Sequence, residues 1–185
     1  MRPLPANFLL GAVLVSLVVG VAALSLIWTP HDPQTMSIST KFAPPSAEHW
    51  LGTDQLGRDV VAQLMAAARN SMTVALVAVL LGGSIGVVLG LLASALGGWV
   101  EDAVMRLADL GFAFPALLFA IMLAAVFGPS LTNAVLAISF INIPIFARVT
   151  RASANQIWTR DYVAAARAAG RGRFAISRDH ILPNI

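Results

Sequence analysis

Residue types able to carry chemistry are sparse in this chain, and their spacing matters mostly for what it excludes. His31, His49 and His180 stand far apart in the sequence. A lone histidine is more often structural than a ligand, so the three are read as isolated from one another and no metal site is expected. There is no cysteine, which excludes disulfides and thiolate ligands. Neither a glycine-rich phosphate loop nor a paired nucleophile and base is present. The chain reads as a non-enzyme with no cofactor of its own.

What stands out instead is a mechanical element near the end. Tyr162-Val163-Ala164-Ala165-Ala166-Arg167-Ala168-Ala169-Gly170 is followed by Ile176, His180, Leu182, Pro183 and Asn184. Asp161 is placed to cap a helix starting at Tyr162, and alanine has the highest helix propensity. Gly170 and Gly172 supply the freedom for a turn. Phe174 to Leu182 then reads as a second helix, which Pro183 bends. Arg167, Arg171, Arg173 and Arg178 are expected to face water or an acidic surface. Two readings stay open on physics alone. A slim alanine helix can enter a groove on a soluble partner, or an amphipathic helix can lie on anionic lipid.

The elements that must carry this tail are apolar. The chain has 185 residues, 58% hydrophobic and only 11% charged, with a mean hydropathy of +0.80. A soluble domain of this size cannot hide that much apolar surface, whereas a bilayer can. Four blocks, about 8–28, 72–96, 107–127 and 131–147, are each read as a membrane span, for which about 20 apolar residues suffice. The first block is too long for a secretory h-region and lacks a clean cleavage site, so it is read as uncleaved.

Between the first two blocks, residues 29–70 form a polar loop broken by Pro30, Pro33, Pro44 and Pro45. Within it, Asp54 is placed to cap a short helix running to about Ala68, lying at the membrane surface. In the second block Gly82, Gly86 and Gly90 fall at four-residue spacing, which lets another helix approach closely. The stretch from Gly97 to Asp109 reads as a short connection. Pro115 and Pro144 sit inside blocks three and four, where their kinks either line a pathway or serve helix packing. Asn142 at membrane depth should face protein or water.

Charge placement sets the sidedness. From Arg148 onward seven arginines stand against Asp161 and Asp179, a net of +5, while the rest of the chain is net −2. Basic residues beside spans mark the cytoplasmic side. Four spans then put the N-terminus, with Arg2, inside as well. The loop at 29–70 lies outside and the segment at 150–185 inside. The arginines flank spans and alternate with alanine, unlike a solvated nucleic-acid patch with stacking aromatics.

These features resemble one family closely. Ala165-Ala166, Gly170, Ile176 and Leu182-Pro183 are similar to the cytoplasmic loop of bacterial ABC-importer permeases, whose pattern opens Glu-Ala-Ala; here Ala164 stands in place of the glutamate. Leu51-Gly52-Thr53-Asp54-Gln55-Leu56-Gly57-Arg58-Asp59-Val60 resembles the outer-loop signature of peptide and nickel importers. Gly97-Gly98-Trp99 with Arg106, Asp109 and Phe114-Pro115 resembles their inner loop and third span. Asp161-Tyr162-Val163 and His180-Ile181-Leu182-Pro183-Asn184 resemble their form of the coupling loop.

The resemblance implies an all-α, polytopic membrane helical bundle with a cytoplasmic helix-turn-helix coupling loop, in a bacterial inner membrane. It implies a second permease subunit, two cytoplasmic ATPases that bind the ATP and magnesium, an extracytoplasmic binding protein, membrane lipids and no nucleic acid. The implied cargo is a di- or oligopeptide, with nickel or glutathione as alternatives, and an ion-gradient-driven transporter is the rival class. The implied coupling residues are Tyr162, Ala164, Ala165, Ala166, Gly170, Ile176, His180, Leu182 and Pro183. The implied outer signature is Gly52, Thr53, Asp54, Gly57, Arg58 and Asp59. Family members continue through about two further spans, so the chain reads as one permease domain, incomplete at its C-terminal end.

Overall fold

The computed structural model describes residues 5–185, so the expectation for Arg2 lies outside the described residues. Those residues are helical apart from loops, with one isolated bridge between Thr53 and Asp59. The helices are α1 (Ala6–Leu24), α2 (Val60–Leu96), α3 (Gly98–Ala113), α4 (Ala116–Phe127), α5 (Leu131–Trp158), α6 (Asp161–Ala168) and α7 (Arg173–Ile176). After α7 the chain continues as a π turn over Ser177–Ile181 and a 3₁₀ turn over Leu182–Asn184. Three helices, α1, α2 and α5, are long and apolar enough to cross a membrane, and the bent pair α3–α4 makes a fourth if counted as one span. The chain divides into two compact units, Met1–Thr73 and Val74–Ile185, and α2 contributes to both.

In the first unit, α1 is apolar on every side and carries no charge. A helix of that kind is solvated by lipid or buried by other helices. Its end is closed by Ser25, whose hydroxyl donates to the Ala22 carbonyl at 2.8 Å. The Ser25 carbonyl in turn accepts from Arg69 at 3.2 Å.

The start of α2 corrects two expectations. Asp59, not Asp54, caps the helix, its Oδ2 accepting from the Ala62 N–H at 2.8 Å. Gly57 at φ 73° and the Thr53–Asp59 bridge hold residues 54–58 in a loop. There is also no separate surface helix. No proline or glycine interrupts residues 60–81, so the first turns run straight on into the second apolar block. The 37 residues of α2 span about 55 Å, well beyond the ~30 Å hydrocarbon core.

In the second unit, the expected connection at Gly97–Asp109 is helix instead. Gly97 and Gly98, at φ 64° and 53°, turn the chain out of α2, and α3 begins at once. The third block is not one straight span. Phe114 is extended, because the residue before a proline is pushed out of the helical region, and α3 and α4 meet at 77°. Four contacts run down α5 in antiparallel order. They are Glu101 with Arg151, Asp109 with Arg148, Gly111 facing the Pro144 ring, which a Cβ added at Gly111 would meet at 3.2 Å, and Phe119 stacked on Phe140 at 4.4 Å. The bent pair therefore runs antiparallel to α5 along residues 140–151.

Helix α5 starts at a cap in which the Ser130 hydroxyl accepts from the Asn133 N–H at 3.1 Å. It continues past Ala147 to Trp158, further than the fourth apolar block suggested. Arginine is a good helix former, so Arg148 and Arg151 carry the helix on, and they pair with Asp109 and Glu101. Pro144 lies inside it and is buried. Asn142 turns toward α2, its Cβ facing Gly82, and its amide donates back to the Ile138 carbonyl at 3.0 Å.

Candidate functional site

In the tail, helix α6 begins at Asp161 rather than Tyr162, and its cap position is Arg160, which offers no side-chain acceptor. Asp161 instead places a negative charge in the first turn, which favours the positive helix end. Gly170 at φ 81° ends the helix, with its N–H donating to Arg167 and the Arg171 N–H reaching the Ala166 carbonyl at 3.1 Å. That left-handed position is open to glycine at no steric cost. The expected second helix over Phe174–Leu182 is present in a mixed form, α over Arg173–Ile176 and π over Ser177–Ile181, and Pro183 lies in a final 3₁₀ turn.

This helical pair has its own apolar core. Val163, Ile176 and Ile181 are fully buried with Ala154 and Ile157 of α5. Leu91 of α2, Trp158 and Ala166 pack against the cluster. Ile176 therefore holds the tail to the bundle and is not on its outer surface. Tyr162, Ala164, Ala165, Gly170, Leu182 and Pro183 are exposed, while Ala166 and His180 are half-buried. The rings of Tyr162 and His180 lie 6.2 Å apart across the turn.

Polar contacts fix the same piece. Arg173 is exposed, as expected, but its guanidinium also donates to the Ala95 and Leu96 carbonyls at 3.1 Å, satisfying the open end of α2. Arg167 stacks over the Trp158 ring at 5.5 Å. Arg171 and Arg178 both bind Asp179, at 2.9 and 2.8 Å. The Arg178 hydrogen bond is the main reason that the Asp179 carboxyl lies below its ordinary pKa. Val163, Ile181 and Arg173 fix the tail to the helices, a role the sequence reading did not give them. The only signal for the first two was apolar character on an otherwise alanine- and arginine-rich segment.

Above this lies the α2–α5 seam. A Cβ added at Gly82, Gly86 or Gly90 would come within 2.5 to 2.6 Å of the carbonyl oxygens of Ser139, Ile143 and Ala147 respectively. These glycines face α5 backbone to backbone. Beside the α3–α4 break is an apolar cavity of about 490 Å³ bordered by Leu107, Gly111, Phe114, Phe140 and Pro144.

In the first unit, the residues of the 29–70 loop tie the loop to itself. A Cβ on Gly52 would meet the Ala43 carbonyl at 2.4 Å, and one on Gly57 the Ser37 carbonyl at 1.8 Å. The Thr53 hydroxyl donates to the Thr40 carbonyl and accepts from the Ala43 N–H. Asp54 accepts from the N–H groups of Leu56 and Arg58 and pairs with the Arg58 guanidinium at 2.7 Å. Partial desolvation works to raise the Asp54 pKa, but these bonds from Arg58, Leu56 and Gln63 outweigh it and hold the carboxyl well below the usual range. Asp59 is 3% exposed and caps α2.

The histidines require a further correction. His31 and His49 are not isolated from one another: their rings lie 4.8 Å apart, and both approach Asp59. A loop folded by turns brings together residues 10 to 28 positions apart, which no local pattern announces.

Comparison with known proteins bears on all of this. Residues 86–185 match the family described as "Binding-protein-dependent transport system inner membrane component". The chain is similar to a probable D,D-dipeptide transport system permease protein of Escherichia coli, 36% identical over 173 residues, covering 91% of this chain and 58% of the relative. It is equally similar to a nickel transport system permease protein of Escherichia coli, 36% identical over 172 residues, 93% of this chain and 62% of the relative. A glutathione transport system permease protein of Pectobacterium atrosepticum is 40% identical over 139 residues, 75% of this chain and 46% of the relative. The chain thus spans about three fifths of the length of the first two.

Proposed function

Because the chain belongs to the binding-protein-dependent transport system inner membrane components, we propose that it serves as a permease subunit of an ATP-driven importer, with α6 and its glycine turn as the part gripped by a cytoplasmic ATPase. The carrying observation is the construction of the tail. Its buried side is welded to α5 and α2 through Val163, Ile176 and Ile181, and its other side presents Tyr162, Ala164 and Ala165 bare. A force applied to that bare side reaches the ends of both long helices, because Arg173 holds the last carbonyls of α2 and Ile157 belongs to the same cluster.

The tail and the turn at Gly97 lie on one side of the bilayer in this reading, the side with the excess of arginine. Helices α1, α2, the α3–α4 passage and α5 make four crossings, so the N-terminus is cytoplasmic and the loop at 29–70 is outside. A second permease subunit, two ATPases and an extracytoplasmic binding protein complete the machine, and ATP with magnesium belongs to the ATPases. The domain assignment is a single permease unit over 1–185. Its cargo is a di- or oligopeptide. The equal identity to a nickel permease favours, as the second reading, a nickel cargo.

The test places Ala165→Trp in the importer and measures ATP-dependent uptake of a labelled dipeptide and of nickel. Loss of uptake with the protein still in the membrane supports the docking role, and the cargo that is lost identifies the substrate. Unchanged uptake of both overturns it. The chain has no cysteine, so Ala165→Cys reports sidedness directly. Labelling from the outer face would contradict the orientation.

A further inference from the structure

We propose that His31, His49 and Asp59 form a binding site for a divalent transition-metal ion, a two-histidine, one-carboxylate site that clips the loop of the first unit to the start of α2. The inference goes beyond the transport role and holds whatever the cargo.

One ring nitrogen of each histidine and one oxygen of Asp59 lie within 4.8 Å of one another. The His49 Nδ1 is 3.0 Å and the His31 Nδ1 3.8 Å from the same oxygen, Oδ1. Nitrogen and oxygen ligands bind zinc at about 2.0–2.2 Å, so a tetrahedral centre separates its ligands by about 3.3 Å. The observed separations bracket that value. Two imidazoles with a carboxylate suit zinc, nickel, cobalt or copper, whereas calcium and magnesium want oxygen ligands throughout.

A second observation points the same way. The Nδ1 of His31 is buried and has no hydrogen-bond partner. At 3.8 Å the Asp59 oxygen is too distant to serve. Buried polar atoms normally have a partner, and a cation between His31, His49 and Asp59 supplies one.

The ligands are held before any ion arrives. Asp59 keeps its orientation because its second oxygen, Oδ2, accepts from the Ala62 N–H at 2.8 Å, the kind of outer bond that fixes a ligating carboxylate. His49 sits in a turn closed by the Ser46 N–H on the His49 carbonyl at 2.8 Å. His31 precedes a turn organised by Asp32, which accepts from the Gln34 N–H at 3.0 Å. Asp59 is almost wholly enclosed, but the His31 side chain is 36% exposed, which leaves a path from solvent. Three protein ligands leave the fourth position to water.

The experiment uses the whole chain, purified in detergent without a polyhistidine tag and stripped with chelator. Cobalt(II) is titrated in and its visible d–d absorption recorded, followed by displacement with zinc. The expected result is one saturable equivalent, bleached by zinc. His31→Ala and His49→Ala each weaken binding by more than the roughly 10–100-fold that loss of an outer partner costs. His180→Ala leaves binding unchanged. If His49→Ala fails to fold by circular dichroism, His31→Ala carries the test, because His31 is half-exposed and its Nδ1 bonds nothing. Absence of a saturable band, or a band that survives His31→Ala, overturns the site.

Discussion

Gly86 and Ile143 meet with no side chain between them: a Cβ on Gly86 would lie 2.5 Å from the Ile143 carbonyl oxygen. In lipid, helices associate through close dispersion contact, and only glycine permits this distance. Gly86→Ala forces α2 and α5 apart and is expected to destabilise the bundle by about 1–3 kcal/mol, the usual range for overpacking. Gly83→Ala is the control, since its Cβ would meet only the Phe146 ring at 3.6 Å. Thermal unfolding in detergent should separate the two variants; equal melting temperatures would refute the seam.

Arg173 should act as an anchor for the tail. Removing its bonds to Ala95 and Leu96 by Arg173→Gln is expected to cost about 1 kcal/mol, since the group is largely exposed. Hydrogen exchange over residues 161–184 is the readout. Protection there should fall while protection within residues 131–147 of α5 stays constant.

The tail also separates fold from grip. Ile176→Ala removes a fully buried side chain from the cluster and should lower stability by about 2–5 kcal/mol. Ala165→Trp adds bulk at an exposed position and should stay within about ±0.5 kcal/mol. If Ala165→Trp destabilised as much as Ile176→Ala, loss of uptake in that variant would report misfolding and not docking.

Asp54 gives the first unit a pH dependence of known sign. Its folded-state pKa is held below the unfolded value of ~4, so the native state binds fewer protons than the unfolded one. Its contribution is complete above that unfolded value and is lost as the pH falls through the folded one. Acid titration of loop stability, followed by fluorescence of a variant that keeps Trp50 as its one tryptophan, should therefore show a loss below about pH 4 that Asp54→Asn flattens. A variant as acid-sensitive as the parent would exclude Asp54 as the source.

Local chemistry in the sequence determined the helix content, because about 20 consecutive apolar residues have few other fates than a helix in lipid. It also marked the close-packing glycines, since Gly82, Gly86 and Gly90 share one helical stripe, and the turn at Gly170, which needs a left-handed backbone. Helix ends were less legible. The fourth apolar block ends at Ala147, but α5 runs on through Arg148 and Arg151, which pair with Asp109 and Glu101 of another helix. The bend at Pro115 was visible as a possibility, but its 77° angle depends on the packing of α3 and α4 along α5. The fate of Ile176 depended on which face of a short helix met α5 and α2. Least legible of all was the meeting of His31, His49 and Asp59. Periodicity reports neighbours within one helix, whereas these three are joined by turns whose closure only the folded loop decides.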